Sequence, residues 1–176
     1  MSNITKATTR EELAALVTQA LRKEGLDPVL VGGAVVSIYT DNKYESRDLD
    51  FIVSASSDVV NEVMKKMGFK KSGKNFYHPK SEFTVEFPMG PLAIGDQEPV
   101  KPEGELKIKR TTIKLLSPTQ SVMDRLAWFF YSNDRQCLDQ ALWISKAHPV
   151  DLKKVEAWAK REGQEEKFHI FLGSLR

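Results

Sequence analysis

The stretch VLVGGAVVSIYTDNKYESRDLDFIV, Val29 to Val53, carries the reading. Val29-Leu30-Val31 is a short apolar run, expected to be a buried strand. It runs into Gly32-Gly33, which opens a helix over Ala34 to Thr40 despite that segment's unfavourable β-branched content. Asp48-Leu49-Asp50 follows Gly33 after a gap of fourteen residues, at the start of a second apolar strand, Leu49 to Val53. Side chains alternate along a strand, so Asp48 and Asp50 project from one face. Two carboxylates on one face repel each other unless a cation sits between them. Hard oxygen ligands suit Mg²⁺ or Mn²⁺, and Mg²⁺ typically takes one or two carboxylates plus substrate phosphates. The Gly32-Gly33 turn has the complementary property, because bare backbone N–H groups can approach a phosphate closely.

Working outward, Thr9 and Glu12 form a capping box for a helix carrying Leu13, Leu16, Val17, Ala20 and Leu21, ended by Gly25. Ser56, Ser57 and Asp58 offer caps for a helix with Val59, Val60, Val63, Met64 and Met67, closed by Gly68. Asn75 to Tyr77 and Phe83 to Phe87 read as two strands joined by a turn at His78 to Ser81. Residues 88–105 hold four prolines and three glycines and read as a loop. Leu106 to Leu116 alternates well enough for one or two strands, and Lys107, Lys109 and Thr111 would share a face as a basic strip. Ser117, Pro118 and Gln120 then start a helix. Further helices are expected over Asp134 to Lys146, from Asp151 to Gly163, and in a short final segment. The fold class is therefore α+β, with a mixed core over residues 1–116 and a helical part over 117–176.

Composition narrows the function classes. The chain has 176 residues, 28% of them charged and 41% hydrophobic, as in an ordinary globular protein. Its net charge of +2 excludes a polybasic coat for nucleic acid or membranes. The single cysteine, Cys137, excludes an internal disulfide and a cysteine-based zinc site. The start Met1-Ser2-Asn3-Ile4-Thr5-Lys6 has no apolar leader region and no long apolar run occurs, so a cytoplasmic location is expected.

Gly32-Gly33, the helix with Tyr39, and Ser46-Arg47-Asp48-Leu49-Asp50-Phe51 together resemble the signature of the DNA polymerase β-like nucleotidyltransferase superfamily. The nearest flavour is the minimal nucleotidyltransferases of abortive-infection and toxin–antitoxin systems. The resemblance covers residues 28–90 and extends to the helices at 117–147. It implies a nucleotidyltransferase-like mixed sheet followed by a helical bundle. It also implies Mg²⁺- or Mn²⁺-dependent transfer of a nucleoside monophosphate from an NTP to a hydroxyl of a protein, an RNA or a small molecule. A third carboxylate is expected on a neighbouring strand. Glu86 matches best, being flanked by apolar residues, and Glu82 is the weaker match. By this resemblance Asp48, Asp50 and Glu86 are catalytic metal ligands of a two-metal site. Gly32 and Gly33, aided by Ser37, would hold the β- and γ-phosphates, with Arg47 and Lys43 in reach. Arg125 would stand where relatives have a nucleotide-facing lysine, and Asp139 where they have a nucleotide-facing aspartate on the next helix, the alternative being helix–helix salt bridges. Trp128, Phe129, Phe130, Tyr131 and Trp143 either stack a base or fill the core. The alternative function is a catalytically inactive binding or regulatory module that keeps the fold, as in a toxin–antitoxin pair.

Overall fold

The protein's computed structural model describes residues 4–96 and 99–175. Met1, Ser2 and Asn3 of the N-terminus, and Gln97 and Glu98 of the proline-rich loop, lie outside the described residues. Helix starts follow the capping chemistry. The Thr9 side chain accepts from the Glu12 amide ahead of α1 (Arg10–Lys23), and the Glu12 carboxylate accepts from the Thr9 amide. The same reciprocal pair, Ser117 with Gln120, opens α4 (Pro118–Ser132), with proline in its first turn. Asp134 caps α5 (Arg135–Ala147) and Asp151 caps α6 (Leu152–Arg161). A last helix, α7, covers Glu165–Leu175. Two more lie among the strands: α2 (Gly33–Tyr39), opened by Gly32, and α3 (Ser57–Lys66), where Ser56 holds the N-cap position without a capping bond.

Among the described residues, seven strands make one mixed sheet in the order β3-β4-β5-β2-β1-β7-β6. They are β1 (Val29–Val31), β2 (Asp48–Ile52), β3 (Lys70–Ser72), β4 (Asn75–Tyr77), β5 (Thr84–Glu86), β6 (Gly104–Ile108) and β7 (Thr111–Leu115). The central trio is β5-β2-β1, with β2 antiparallel to β1 and parallel to β5. This is the α+β architecture expected from the sequence. Two differences stand out at the sheet edges. Strand β3, Lys-Lys-Ser, is exposed throughout and has no apolar alternation to announce it. The expected basic strip on residues 107–111 does not form, because Ile108 pairs with Thr111 and leaves Lys109 and Arg110 as the turn. Lys109 turns there with φ +55° and reaches Glu12 at 2.9 Å, while Thr111 is buried.

Alternation sorts the sheet into two faces. Leu30, Leu49, Phe51, Phe76 and Val85 join α1 and α3 in one apolar core. A second core gathers α4 to α7 around Leu126, Phe129, Trp158 and Phe171. Helix α2 belongs to both, with Ala34 and Val35 in the first core and Val36 in the second. Asp50 of β2 and Glu86 of β5 face the cleft between the sheet and α4.

Candidate active site

Register places the acids. Strands β2 and β5 are parallel with Asp50 opposite Glu86 and Asp48 opposite Thr84. Side chains opposite each other on neighbouring strands share a face, so Asp50 and Glu86 stand side by side. Asn75 on β4 continues that row beyond Glu86. Glu86 is 8% exposed, an uncommon degree of burial for an acid in a strand. Burial first, then the neighbouring Glu86 and Asp48 carboxylates, push the Asp50 carboxyl up to about 6.

The glycine turn closes on the same pair. Gly32 has φ +72°, a left-handed conformation that side chains rarely tolerate. A Cβ placed there would lie 2.6 Å from Asp50 Oδ2, so the backbone approaches the carboxylate as only glycine permits. At Gly33 a Cβ would meet Ser46 Oγ at 3.0 Å and the Tyr44 ring at 3.2 Å. Ser46 is the hinge of this arrangement. Its amide donates to Ser37 Oγ at 2.9 Å, and its hydroxyl donates to the Asp48 carbonyl at 3.1 Å. The Arg10 Nε donates to the Ser46 carbonyl at 3.0 Å, and its Nη1 to Asn42 Oδ1 at 2.6 Å. A buried arginine from α1 thus braces the loop that delivers Asp48 and Asp50.

Above the acids lies a cleft of about 340 Å³ lined by Gly32, Asp50, Lys74, Glu86, Asp124, Arg125 and Trp128, with Pro88, Pro91 and Leu92 at its side. The structure brings Gly32, Asp50, Glu86 and Arg125 together here. Asp48 lies two residues along the same face, at the exposed end of β2, and accepts a hydrogen bond from the Thr84 hydroxyl. Ser37 is buried beneath the turn, its hydroxyl donating to the Gly33 carbonyl at 3.1 Å and accepting from Ser46, and does not line the cleft. Arg47 is exposed outside it, and Glu82 is exposed at the turn before β5. The Lys43 ammonium lies over the Trp143 ring at 5.1 Å. Arg125 turns its fork onto Asp124, with Nε at 3.0 Å and Nη2 at 2.5 Å from Oδ2, and its Nη1 donates to Gln140 Oε1 at 3.4 Å. Asp139 is exposed and away from the cleft, so Asp124 is the acid beside Arg125. Of the aromatics, Phe129 and Phe130 are core, while Trp128 lines the cleft and is 54% exposed. Among the described residues no three His, Cys, Asp or Glu side chains form a ready-made metal cage. The cause is local, since Asp48 is turned to Thr84 and Glu86 to Lys74.

Two site residues escape a reading of the sequence. Lys74 pairs with Glu86 at 3.0 Å, and it sits in a turn between strands of which one has no sequence signal. Asp124 faces the cleft beside Arg125 only because of how α4 packs, which no local pattern in the sequence encodes.

Comparison with known proteins bears on this geometry. Residues 9–85, which include the glycine turn and both aspartates, match the family model described as a nucleotidyl transferase of unknown function (DUF2204). A nucleotidyltransferase-like antigenic protein from Paracoccidioides brasiliensis has a similar structure, with a TM-score of 0.53 at 11% identity over 89% of this chain and 90% of that one. The chain has a nucleotidyltransferase-like fold. The antibiotic-resistance factor ANT(2'')-Ia is similar as well, with a TM-score of 0.52 at 13% identity over 87% of this chain and 92% of that one. No curated protein matches by sequence. In this nucleotidyltransferase fold the Gly-Gly turn, β2 and β5 meet at one cleft, and α4 closes it from the helical side. Among the described residues no helix is long and apolar enough to cross a membrane.

Proposed function

We propose that the protein is a divalent-metal-dependent nucleotidyltransferase that moves a nucleoside monophosphate from an NTP to a hydroxyl acceptor. The observation that carries this reading is the in-register pair Asp50 and Glu86, which lines one cleft together with the glycine turn that packs against Asp50. The pair fits a metal ion on its own chemistry. Both partners offer hard oxygens, both are largely withdrawn from water, and their mutual repulsion is what a cation relieves. Asp50 and Glu86 would hold Mg²⁺ or Mn²⁺, with Asp48 as the outer ligand. When bound, such an ion polarises phosphoryl oxygens and neutralises developing charge.

The chain's own residues supply the rest. The amides of Gly32 and Gly33 would hold the triphosphate. The Trp128 ring, exposed at the cleft wall, offers a face to the base. Arg125, fixed by Asp124 and Gln140, sets a positive charge at the helical wall, opposite the acids. Glu86, on the side away from Gly32, is placed to take the proton of the acceptor hydroxyl. The acceptor oxygen then bonds to the α-phosphorus, the α–β phosphoanhydride bond breaks, and pyrophosphate leaves. Positioning and charge neutralisation do most of the work in such chemistry.

A second reading, a nucleotide-binding module without catalysis, is favoured by one observation: Asp48 and Glu86 are each engaged by a neighbour. One experiment separates the two. Labelled NTPs, each of the four in turn, are incubated with Mg²⁺ or Mn²⁺ and the protein, alone, with cell extract, and with small molecules. Antibiotics belong in that panel because one fold neighbour is an antibiotic-resistance factor. Wild type transfers label, and Asp48→Asn/Asp50→Asn loses it by at least about a hundredfold. Metal-dependent NTP binding without transfer to any acceptor would favour the second reading.

A further inference from the structure

The carboxylate pair already has a cation, and the protein supplies it. Lys74 Nζ stands 3.0 Å from Glu86 Oε2, where the Glu86 side chain is 11% exposed and that of Lys74 is 81% exposed. The acid is therefore fixed in the sheet and the base is free to leave. Ser72 pairs with Asn75, so Gly73 and Lys74 alone make the turn between β3 and β4, with Gly73 at φ +58°. The lysine charge also acts on Asp50 and Asp48. An ammonium on a long, solvated stem gives up an ion pair at little cost. A divalent cation on the same carboxylates would repel it.

From this geometry we infer that Lys74 is a built-in stand-in for the metal, holding the charge of Glu86 in the metal-free protein and swinging out on the β3–β4 turn when a divalent cation arrives. The inference rests on the reading of Asp50 and Glu86 as the metal-holding pair. Its consequence is that free metal competes with the lysine. Once displaced, Lys74 still borders the cleft, where its positive charge favours a triphosphate. Metal is thereby held weakly until nucleotide accompanies it.

The test is Mn²⁺ binding to the full chain without nucleotide, read from the electron paramagnetic resonance signal of free Mn²⁺. Wild type is compared with Lys74→Met, Lys74→Arg and Asp50→Asn/Glu86→Gln. Lys74→Met should bind Mn²⁺ about threefold more tightly than wild type, the scale of an exposed ion pair removed from competition. Lys74→Arg should match wild type, and Asp50→Asn/Glu86→Gln should lose the site. Unchanged or weaker binding by Lys74→Met, with the site still abolished by the double variant, overturns the role of Lys74 and leaves the metal pair standing. Equal binding by wild type and the double variant, or none by wild type and Lys74→Met alike, overturns the metal pair and this inference with it. Circular-dichroism melts that coincide for Lys74→Met and wild type show that the comparison is between folded proteins.

Discussion

At the residue scale, Asp50 works against the fold it belongs to. Its carboxyl is pushed up to about 6 by burial and by two neighbouring acids, against an ordinary value of 3.8. A raised folded value means that the folded protein binds the proton more tightly than the unfolded chain. That contribution is fully present below pH 3.8 and is lost as the pH rises through about 6. In chelator, Asp50→Asn should therefore raise unfolding free energy at pH 7.5 by about 2 kcal/mol. The gain should vanish by about pH 4, where both proteins are neutral at this position. Urea titrations at several pH values check this. No gain at pH 7.5 would mean that the pair is already neutralised by other means. Cys137 is the contrasting case: burial pushes its thiol up to about 11, so it behaves as a small apolar group beside Arg125. That the DxD acids would lie on one face could be read from strand alternation. That Glu86 would stand beside Asp50, and not one residue up or down, is a matter of register between strands 36 residues apart.

At the scale of elements, the starts of α1 and α4 were legible because capping is local. Thr9 with Glu12 and Ser117 with Gln120 satisfy backbone donors within one turn, whatever the rest of the chain does. The loop over residues 40–47 follows the opposite logic. It is held by Arg10, a residue in the first turn of α1 that carries no sequence signal for such a task. The guanidinium is 3% exposed and stacks over Phe83 at 5.5 Å while donating to Ser46 and Asn42. Replacing it by methionine keeps much of the stem and removes the donors, leaving the Ser46 carbonyl without this partner. Arg10→Met should cost about 2 kcal/mol of stability, the scale of hydrogen bonds from a charged donor. It should also speed hydrogen exchange at the Ser46 and Asp48 amides, which mass spectrometry would localise. Uniform exchange across the chain would show that Arg10 matters to the fold at large and not to this loop.

At the scale of the whole molecule, the site exists because two cores meet. The sheet core ends at the acidic face of β2 and β5, and the helical core ends at α4, with α2 packed into both. The Tyr39 hydroxyl donates to the Leu116 carbonyl at 2.8 Å, tying α2 to the entry of α4. Trp158 anchors the helical core. It is fully buried, stacked on Phe130 with ring centroids 5.3 Å apart, and its indole Nε1 has no hydrogen-bond partner among the described residues. Trp158→Ala should lose about 3–5 kcal/mol through the cavity it leaves. Trp158→Phe should lose clearly less, because it keeps an aromatic stack and removes an unsatisfied donor. Thermal melts of the two variants rank them, and equal losses would mean that the retained ring does not restore the packing against Phe130. If the helical core also shapes the proposed nucleotide cleft, Trp158→Ala will weaken NTP binding before it unfolds the protein.

By itself the sequence determined what is encoded within a few residues. Caps, apolar periodicity, the Gly-Gly turn and the spacing of Asp48 and Asp50 are all short-range, and together they point to the mixed sheet and the nucleotidyltransferase-like fold. What depends on distance along the chain was left to tertiary structure. Strand β3 forms because β4 offers it an edge, its Lys-Lys-Ser sequence having no preference of its own. Lys109 went to the turn because register pairs Ile108 with Thr111. Lys74 reaches Glu86, Asp124 pairs with Arg125, Asp139 stays outside the cleft, and Ser37 serves Ser46 because packing orients side chains that sequence spacing leaves free. Local free energies choose the elements, and burial of the two cores chooses which polar groups are left facing one another.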